Sequence, residues 1–140
     1  MKNILFHFED VSPFLKKRGD LRLWLNQTAK KEKQKISCVN YIFCSDEHLL
    51  KINKDYLNHH YYTDVITFEY PGEDGVLGDI FISIDRVKLN ARDYNHSTTE
   101  ELHRVMVHGL LHLLGYKDKK PEQQKVMTSK EDFYLSLRAF

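Results

Sequence analysis

Two histidines one helical turn apart, His108 and His112, are the residues whose types and spacing point most directly to chemistry. Their rings can converge on one point because side chains four residues apart share a helix face. Neutral imidazoles at about 2.0–2.1 Å are ordinary ligands of a divalent transition metal. The alternative is a pair of core histidines hydrogen-bonded to backbone carbonyls, since burying an unpartnered ring costs free energy and depresses its pKa.

A third candidate donor follows this pair after a glycine. Gly115 is the residue type that tolerates the left-handed end of a helix, and Asp118 stands three residues later. Two imidazoles and a carboxylate would make a three-ligand site with an open fourth position, which is typical of catalytic rather than structural zinc. An exposed loop acid between Lys117 and Lys119 is the competing interpretation of Asp118.

The segment that contains the two histidines is apolar on most of its surface, which predicts a helix buried in the middle of a domain. Ser97 with Glu100 and Thr98 with Glu101 offer two overlapping capping boxes at its start, and we expect the helix to end at Leu114. A polar line crosses this apolar helix at intervals of three and four residues. Its members are Glu101, Arg104, His108 and His112.

The residue after the first histidine is Gly109, where metalloproteases with the H-E-x-x-H motif have a glutamate as general base. Glycine cannot accept a proton, so the motif argues against a peptidase of that kind and leaves the general base unidentified. Gly109 costs helix stability, and we expect it to let another backbone approach closely.

Composition predicts one domain over residues 1–140, because 41% of the residues are hydrophobic and six glycines and three prolines are too few for disorder. The formal charge of +1 excludes a strongly basic surface overall, although a local basic patch is compatible with it. Cys38 and Cys44 would lie about 20 Å apart on one strand, too far for a disulfide. We therefore expect free thiols, a cytoplasmic location, and neither a signal peptide nor a membrane span.

Hydrophobic periodicity and turn residues predict the order β-α-β-α-β-β-α-α-α, an α+β domain with one sheet packed by helices. The strands are expected at residues 4–8, 36–44, 65–70 and 80–84. The helices are expected at residues 15–34, 46–56, 86–94, 98–114 and 121–137. Ser45 is the expected cap of the second helix, and Asp85 that of the third.

Three blocks of the sequence resemble the YbeY family. Residues 108–116, HGLLHLLGY, are similar to its pattern H-G-x-L-H-L-x-G-Y-D-H. Ile52-Asn53, Tyr56 and residues 63–68 resemble L-N-x-x-Y-R followed by P-T-D-V-L-S-F, and residues 77–83 resemble L-G-D-I-x-I-S. Met127 and Glu131 fit the C-terminal helix of the family. The blocks follow one another in the family order over nearly the whole chain.

The resemblance implies a single mixed four-stranded sheet packed by about five helices, distantly like that of zinc metalloproteases. It implies a single-strand-specific, metal-dependent endoribonuclease of the cytoplasm, acting in maturation of the 3′ end of 16S ribosomal RNA and in ribosome quality control. Its partners would be ribosomal RNA and the small ribosomal subunit or assembly factors, with neither DNA nor a membrane involved. The cofactor would be one divalent transition metal, zinc, on His108, His112 and Asp118. Asp64 and Asp79 would join the two histidines as catalytic residues.

Two positions depart from the family pattern. The third metal ligand of the family is a histidine, and Asp118 takes its place here. A carboxylate is a legitimate zinc donor, but its charge leaves the ion a weaker Lewis acid. Leu57 stands where the family has an arginine linked to RNA cleavage, and leucine cannot stabilise phosphate charge.

Two other functions remain open on the sequence. One is an RNA-binding factor of ribosome assembly with a structural metal and little nuclease activity. The other is a metal-dependent hydrolase of a different substrate, because sites are grafted onto folds. Asp64 as the cap of a turn and Asp79 at a strand entrance are the structural alternatives to catalytic roles.

Overall fold

The computed structural model describes residues 2–140. Four strands lie in one mixed sheet, and their bounds are β1 (Ile4–Phe8), β2 (Ile36–Cys44), β3 (Val65–Tyr70) and β4 (Val76–Ser83). The spatial order is β1-β2-β4-β3. The first three strands in this order are mutually parallel, whereas β3 pairs antiparallel with β4 and forms an edge. The mixed four-stranded sheet expected from the family resemblance is thereby confirmed.

Five helices complete the fold within residues 2–140, and the α+β class is confirmed. They are α1 (Arg18–Lys31), α2 (Asp46–Leu57), α3 (Ile84–Asp93), α4 (Thr98–Leu113) and α5 (Pro121–Ser136). No helix in this part of the chain is both long and apolar enough to cross a membrane.

Helix α4 is the central element, packed between the sheet and helices α1, α3 and α5. Its apolar residues are buried, and Met106, Leu110 and Leu111 are completely so. The Ser97 hydroxyl caps the helix by accepting a hydrogen bond from Glu100 N at 3.0 Å, which is one half of the predicted capping box. The Glu100 carboxylate instead accepts a hydrogen bond from Arg138 Nη2 at 2.6 Å. The apolar residues of this helix can all be buried because the sheet and three helices surround it.

Helix α2 covers the other face of the sheet. Leu49 and Ile52 of α2 pack there against Ile66, next to the partly buried Phe68 and Phe81. Because side chains alternate along a strand, β3 and β4 send every second residue to α2 and the others to α4. Both cysteines are free thiols, as expected.

The first and third helices begin elsewhere than the sequence suggests. Helix α1 starts at Arg18 rather than Leu15, because Lys17 has a left-handed backbone (φ 56°) that interrupts any earlier turn. Helix α3 starts at Ile84, and its cap is Ser83 rather than Asp85. The Asp85 carboxylate instead accepts a hydrogen bond from Asp46 N at 2.8 Å, at the start of α2.

Strand β4 is longer than predicted and begins at Val76, because its first residues pair with both β2 and β3. Gly109 of α4 does allow a close approach, but to a side chain rather than to a backbone. A Cβ at this position would lie 2.7 Å from Ile80 Cγ2 on β4. The glycine therefore sets how closely α4 packs on the sheet.

Candidate metal centre and its cleft

Three donor atoms converge where α4 ends. His108 Nε2 and His112 Nε2 lie 3.0 Å apart. Asp118 Oδ2 lies 3.3 Å from the first and 3.4 Å from the second. Gly115, with φ 113°, turns the chain so that the carboxylate returns to the helix face. Within residues 2–140 this is the one group of three or more donors that could hold a metal ion.

The spacing of the donors fits a tetrahedral ion. Ligands about 2.0–2.1 Å from a zinc ion lie about 3.3 Å from one another along the edges of a tetrahedron. The three distances between the donor atoms of His108, His112 and Asp118 fall close to that value. Three protein donors leave a fourth position for water or substrate.

Hydrogen bonds on the far side of each ring explain why both Nε2 atoms point inward. His108 Nδ1 donates to Glu131 Oε2 at 2.5 Å, and His112 Nδ1 donates to the Tyr116 carbonyl at 2.9 Å. With the ring protons on Nδ1, two Nε2 lone pairs face each other. Lone pairs at 3.0 Å need a cation or a shared proton between them, so the donor set fits a metal ion.

A charged network holds the carboxylate behind His108. Arg104 Nη1 donates to Glu131 Oε1 at 2.9 Å, and its Nη2 donates to Asp132 at 2.7 Å. Burial of the His108 ring opposes its charged form, but the hydrogen bond and the charge of Glu131 outweigh burial and raise the pKa of His108. Burial, followed by the charge of His108, lowers the pKa of His112. The surroundings of His108 thus favour positive charge at this point.

The structure separates the two aspartates predicted as catalytic. Asp64 precedes β3 beside His108, accepts a hydrogen bond from Asn90 Nδ2 at 3.2 Å, and has a pKa raised by burial. Asp79 lies on the α2 face of the sheet, with its carboxylate bonded to Asn40 Nδ2 and the Tyr70 hydroxyl. Alternation along β4 turns Asp79 away from α4, so the expectation that Asp79 lies near the metal cleft is wrong.

The donors lie where two open cavities meet. A cavity of about 340 Å³, here called the β3 cavity, lies between the α2–β3 loop and the loop after α4. A second cavity of about 610 Å³, the α5 cavity, lies towards α5. His108, Asp118 and Asp64 line both cavities. An elongated substrate can therefore reach the donors from either side.

The sequence does not reveal the partners of the two rings. Arg104 belongs to the polar line on α4, but its hydrogen bond to Glu131 joins two residues 27 positions apart on different helices. Glu131 lies one turn after Met127 on α5, and both side chains are buried. An acidic residue in line with the apolar residues of this helix was the one sequence signal for its role. The Tyr116 carbonyl is a backbone group and has no sequence signature.

This fold and donor group define a class: α+β proteins whose buried central helix presents a three-donor metal-binding group in an open cleft.

A family model described as Endoribonuclease YbeY matches residues 14–138. A protein of Cytophaga hutchinsonii named Endoribonuclease YbeY is 54% identical over 140 residues, covering 99% of this chain and 98% of that one. A protein of the same name from Bacteroides thetaiotaomicron is 42% identical, covering 90% and 91%. A Thermotoga maritima protein solved in solution superposes with a TM-score of 0.66 at 31% identity, covering 95% of this chain and 87% of that one.

The chain belongs to the YbeY family of endoribonucleases. The resemblance drawn from the three sequence blocks is thereby confirmed, and with it the class of hydrolytic endoribonucleases.

Proposed function

We propose that this protein cleaves single-stranded RNA in the cleft formed by the two cavities, with one divalent metal ion held by His108, His112 and Asp118. The convergence of three donors at tetrahedral spacing, inside a cleft open on two sides, carries the proposal. A bound ion would supply a Lewis acid that makes water more acidic and polarises a phosphoryl oxygen.

The chain itself supplies positioning and proton transfer. Glu131 orients His108, and the Tyr116 carbonyl orients His112. Asp64 is the one predicted catalytic carboxylate that reaches the cleft without being a metal donor, and we assign it the exchange of a proton with the attacking water or the leaving oxygen. Lys119, exposed at the rim of the β3 cavity, supplies positive charge for the RNA backbone.

Zinc is the ion we propose, because two imidazoles and a carboxylate in tetrahedral spacing are characteristic of catalytic zinc. Ribosomal RNA, together with the small subunit or its assembly factors, is the proposed substrate and setting, in line with the family resemblance. Two free thiols suit a reducing compartment, which supports a cytoplasmic location.

The decisive experiment combines metal analysis with RNA cleavage. We expect purified protein to bind about one zinc per chain, and His108→Ala and Asp118→Ala to lose both the ion and cleavage. Asp64→Asn should keep the ion and lose cleavage. Asp74→Ala, in the exposed β3–β4 loop, is the matched control and should change neither. Full retention of zinc in Asp118→Ala would remove that residue from the ligand set.

One observation favours the second candidate, an RNA-binding assembly factor with a structural metal. Leu57 lines the β3 cavity at the position where the family pattern has arginine, and no arginine in the described chain lines that cavity. Without a guanidinium there, transition-state charge has less stabilisation. RNA binding without metal-dependent cleavage would establish this candidate in place of the nuclease.

A further inference from the structure

The loop between α2 and β3 presents an aromatic pair beside the metal donors. The rings of His59 and Tyr61 stack with centroids 5.2 Å apart and planes 21° from parallel. The Tyr61 hydroxyl and His59 Nδ1 are also hydrogen-bonded at 3.1 Å. Both residues are exposed, and both line the β3 cavity together with His108 and His112.

Two hydrogen bonds to one buried residue of α2, Asn53, hold the backbone of this loop. Asn53 of α2 is only 2% exposed, and its side-chain amide donates to the Tyr61 carbonyl at 2.9 Å. The Asn53 carbonyl accepts a hydrogen bond from His59 N at 3.0 Å. Asn58, which directly precedes His59, has a left-handed backbone (φ 54°) and ends α2. The backbone at both ring positions is therefore held before any ligand arrives, and the two rings contact each other, which lowers the entropy cost of binding to them.

The two sides of the β3 cavity differ in chemistry. One side has Leu57, 40% exposed, followed by the His59 and Tyr61 rings. The other side has the metal donors and Lys119. A ligand that fits both has a flat apolar part joined to an anionic part, which is the chemistry of a nucleotide within single-stranded RNA. Stacking on an aromatic ring tolerates any base because every base has a π face.

We propose that the His59–Tyr61 pair is a base-stacking subsite, which holds one base of single-stranded RNA while an adjacent phosphate faces the metal donors. The inference rests on the proposed function, because it takes RNA as the occupant of the cleft. Tyr61 is a substrate-positioning residue in this scheme and takes no part in proton transfer.

The test measures binding of a fluorescein-labelled single-stranded oligoribonucleotide to full-length, chelator-treated protein, so that cleavage plays no part. A series of otherwise identical RNAs each lacks the base at one position. We expect the wild-type protein to lose at least about fivefold in affinity when one position is abasic, since stacking contributes about 1–3 kcal/mol per base. Tyr61→Leu should bind intact RNA with the same loss, and removal of that base should then have no further effect.

Two variants separate stacking from other effects. Tyr61→Phe keeps the ring and should bind like the wild type, although it loses the hydrogen bond to His59. Phe133→Leu removes an exposed ring on α5 and should leave binding unchanged. Equal abasic losses in wild type and Tyr61→Leu, or unchanged binding of intact RNA by Tyr61→Leu, would overturn the subsite. Failure of the proposed function is separately visible, as RNA that binds but is not cut when zinc is restored.

Discussion

At the scale of single residues, the site depends on a carboxylate that does not touch the ion position. Glu131 is buried, accepts the His108 ring proton at 2.5 Å, and is itself held by Arg104 at 2.9 Å. Partners of this kind fix the tautomer and orientation of a ligand ring and raise its basicity.

We therefore predict that Glu131→Gln weakens zinc binding about 10- to 100-fold, the usual effect of losing such a partner. A zinc titration against a competing chelator measures this change. Glu122→Gln, at the exposed start of the same helix, is the matched control and should bind zinc like the wild type. Unchanged affinity in Glu131→Gln would mean that the ring of His108 is held in place by packing alone.

The three metal donors could be predicted from the sequence, whereas the residues that orient them could not. His108, His112 and Asp118 are close in sequence, so helix spacing and one glycine turn bring them together. Glu131 and Arg104 meet only because α5 packs on α4, which no local pattern encodes. The position of Asp79 was not predictable either, because the motif that contains it does not indicate on which face of the sheet its side chain lies.

At the scale of elements, the distance between α4 and the sheet depends on one missing methyl group. A Cβ at Gly109 would lie 2.7 Å from Ile80 Cγ2, closer than real contacts allow, and Ile80 is completely buried. Ile80 cannot move aside because it is surrounded by the core, so α4 would have to shift.

Gly109→Ala should therefore destabilise the protein by about 1–3 kcal/mol, the usual cost of overpacking, despite the better helix propensity of alanine. Gly19→Ala in α1 is the matched control, because nothing lies within 4 Å of a Cβ there. We expect that variant to gain up to about 1 kcal/mol. Urea denaturation measures both, and a Gly109→Ala variant as stable as the wild type would show that the packing can adjust.

Element order could be predicted because hydrophobic periodicity differs between strands and helices. Element ends were harder to predict, because several residues can cap the same helix. Ser83 and Asp85 are both favourable capping residues. Ser83 caps α3, because the Asp85 carboxylate accepts a tertiary hydrogen bond from Asp46 N instead. The length of β4 likewise depends on its pairing with β2 and β3, and β2 is distant in sequence.

At the scale of the whole molecule, one buried carboxyl ties folding stability to pH. Glu101 is 4% exposed, and its Oε1 finds no hydrogen-bond partner among residues 2–140. Burial, reinforced by the charge of Asp64, raises the pKa of Glu101 from 4.5 to about 7. The folded state therefore binds this proton more tightly than the unfolded state. The contribution of protonated Glu101 to folding stability is complete below pH 4.5 and is lost as the pH rises through about 7.

Glu101→Gln should remove this dependence because glutamine does not titrate. We expect the variant to gain stability relative to the wild type between pH 4.5 and 7, by on the order of 2 kcal/mol. Comparing the two proteins cancels the opposite effect of His103, whose pKa is lowered to about 4 by burial and by Arg138. Urea denaturation from pH 4 to 8 measures the difference, and a difference that stays constant over this range would contradict the prediction.

The whole chain has a formal charge of only +1, so its RNA affinity must come from local charge in the cleft rather than from an overall field. Each phosphate contact made with single-stranded nucleic acid contributes about 0.7 to the slope of log affinity against log salt concentration. Lys119→Ala should make this slope shallower by about 0.7, and Leu57→Arg, which puts a guanidinium in the β3 cavity, should make it steeper by about 0.7. Lys125→Ala, on the exposed face of α5, should leave the slope unchanged. If all three variants share the wild-type slope, the RNA backbone does not pass through the β3 cavity.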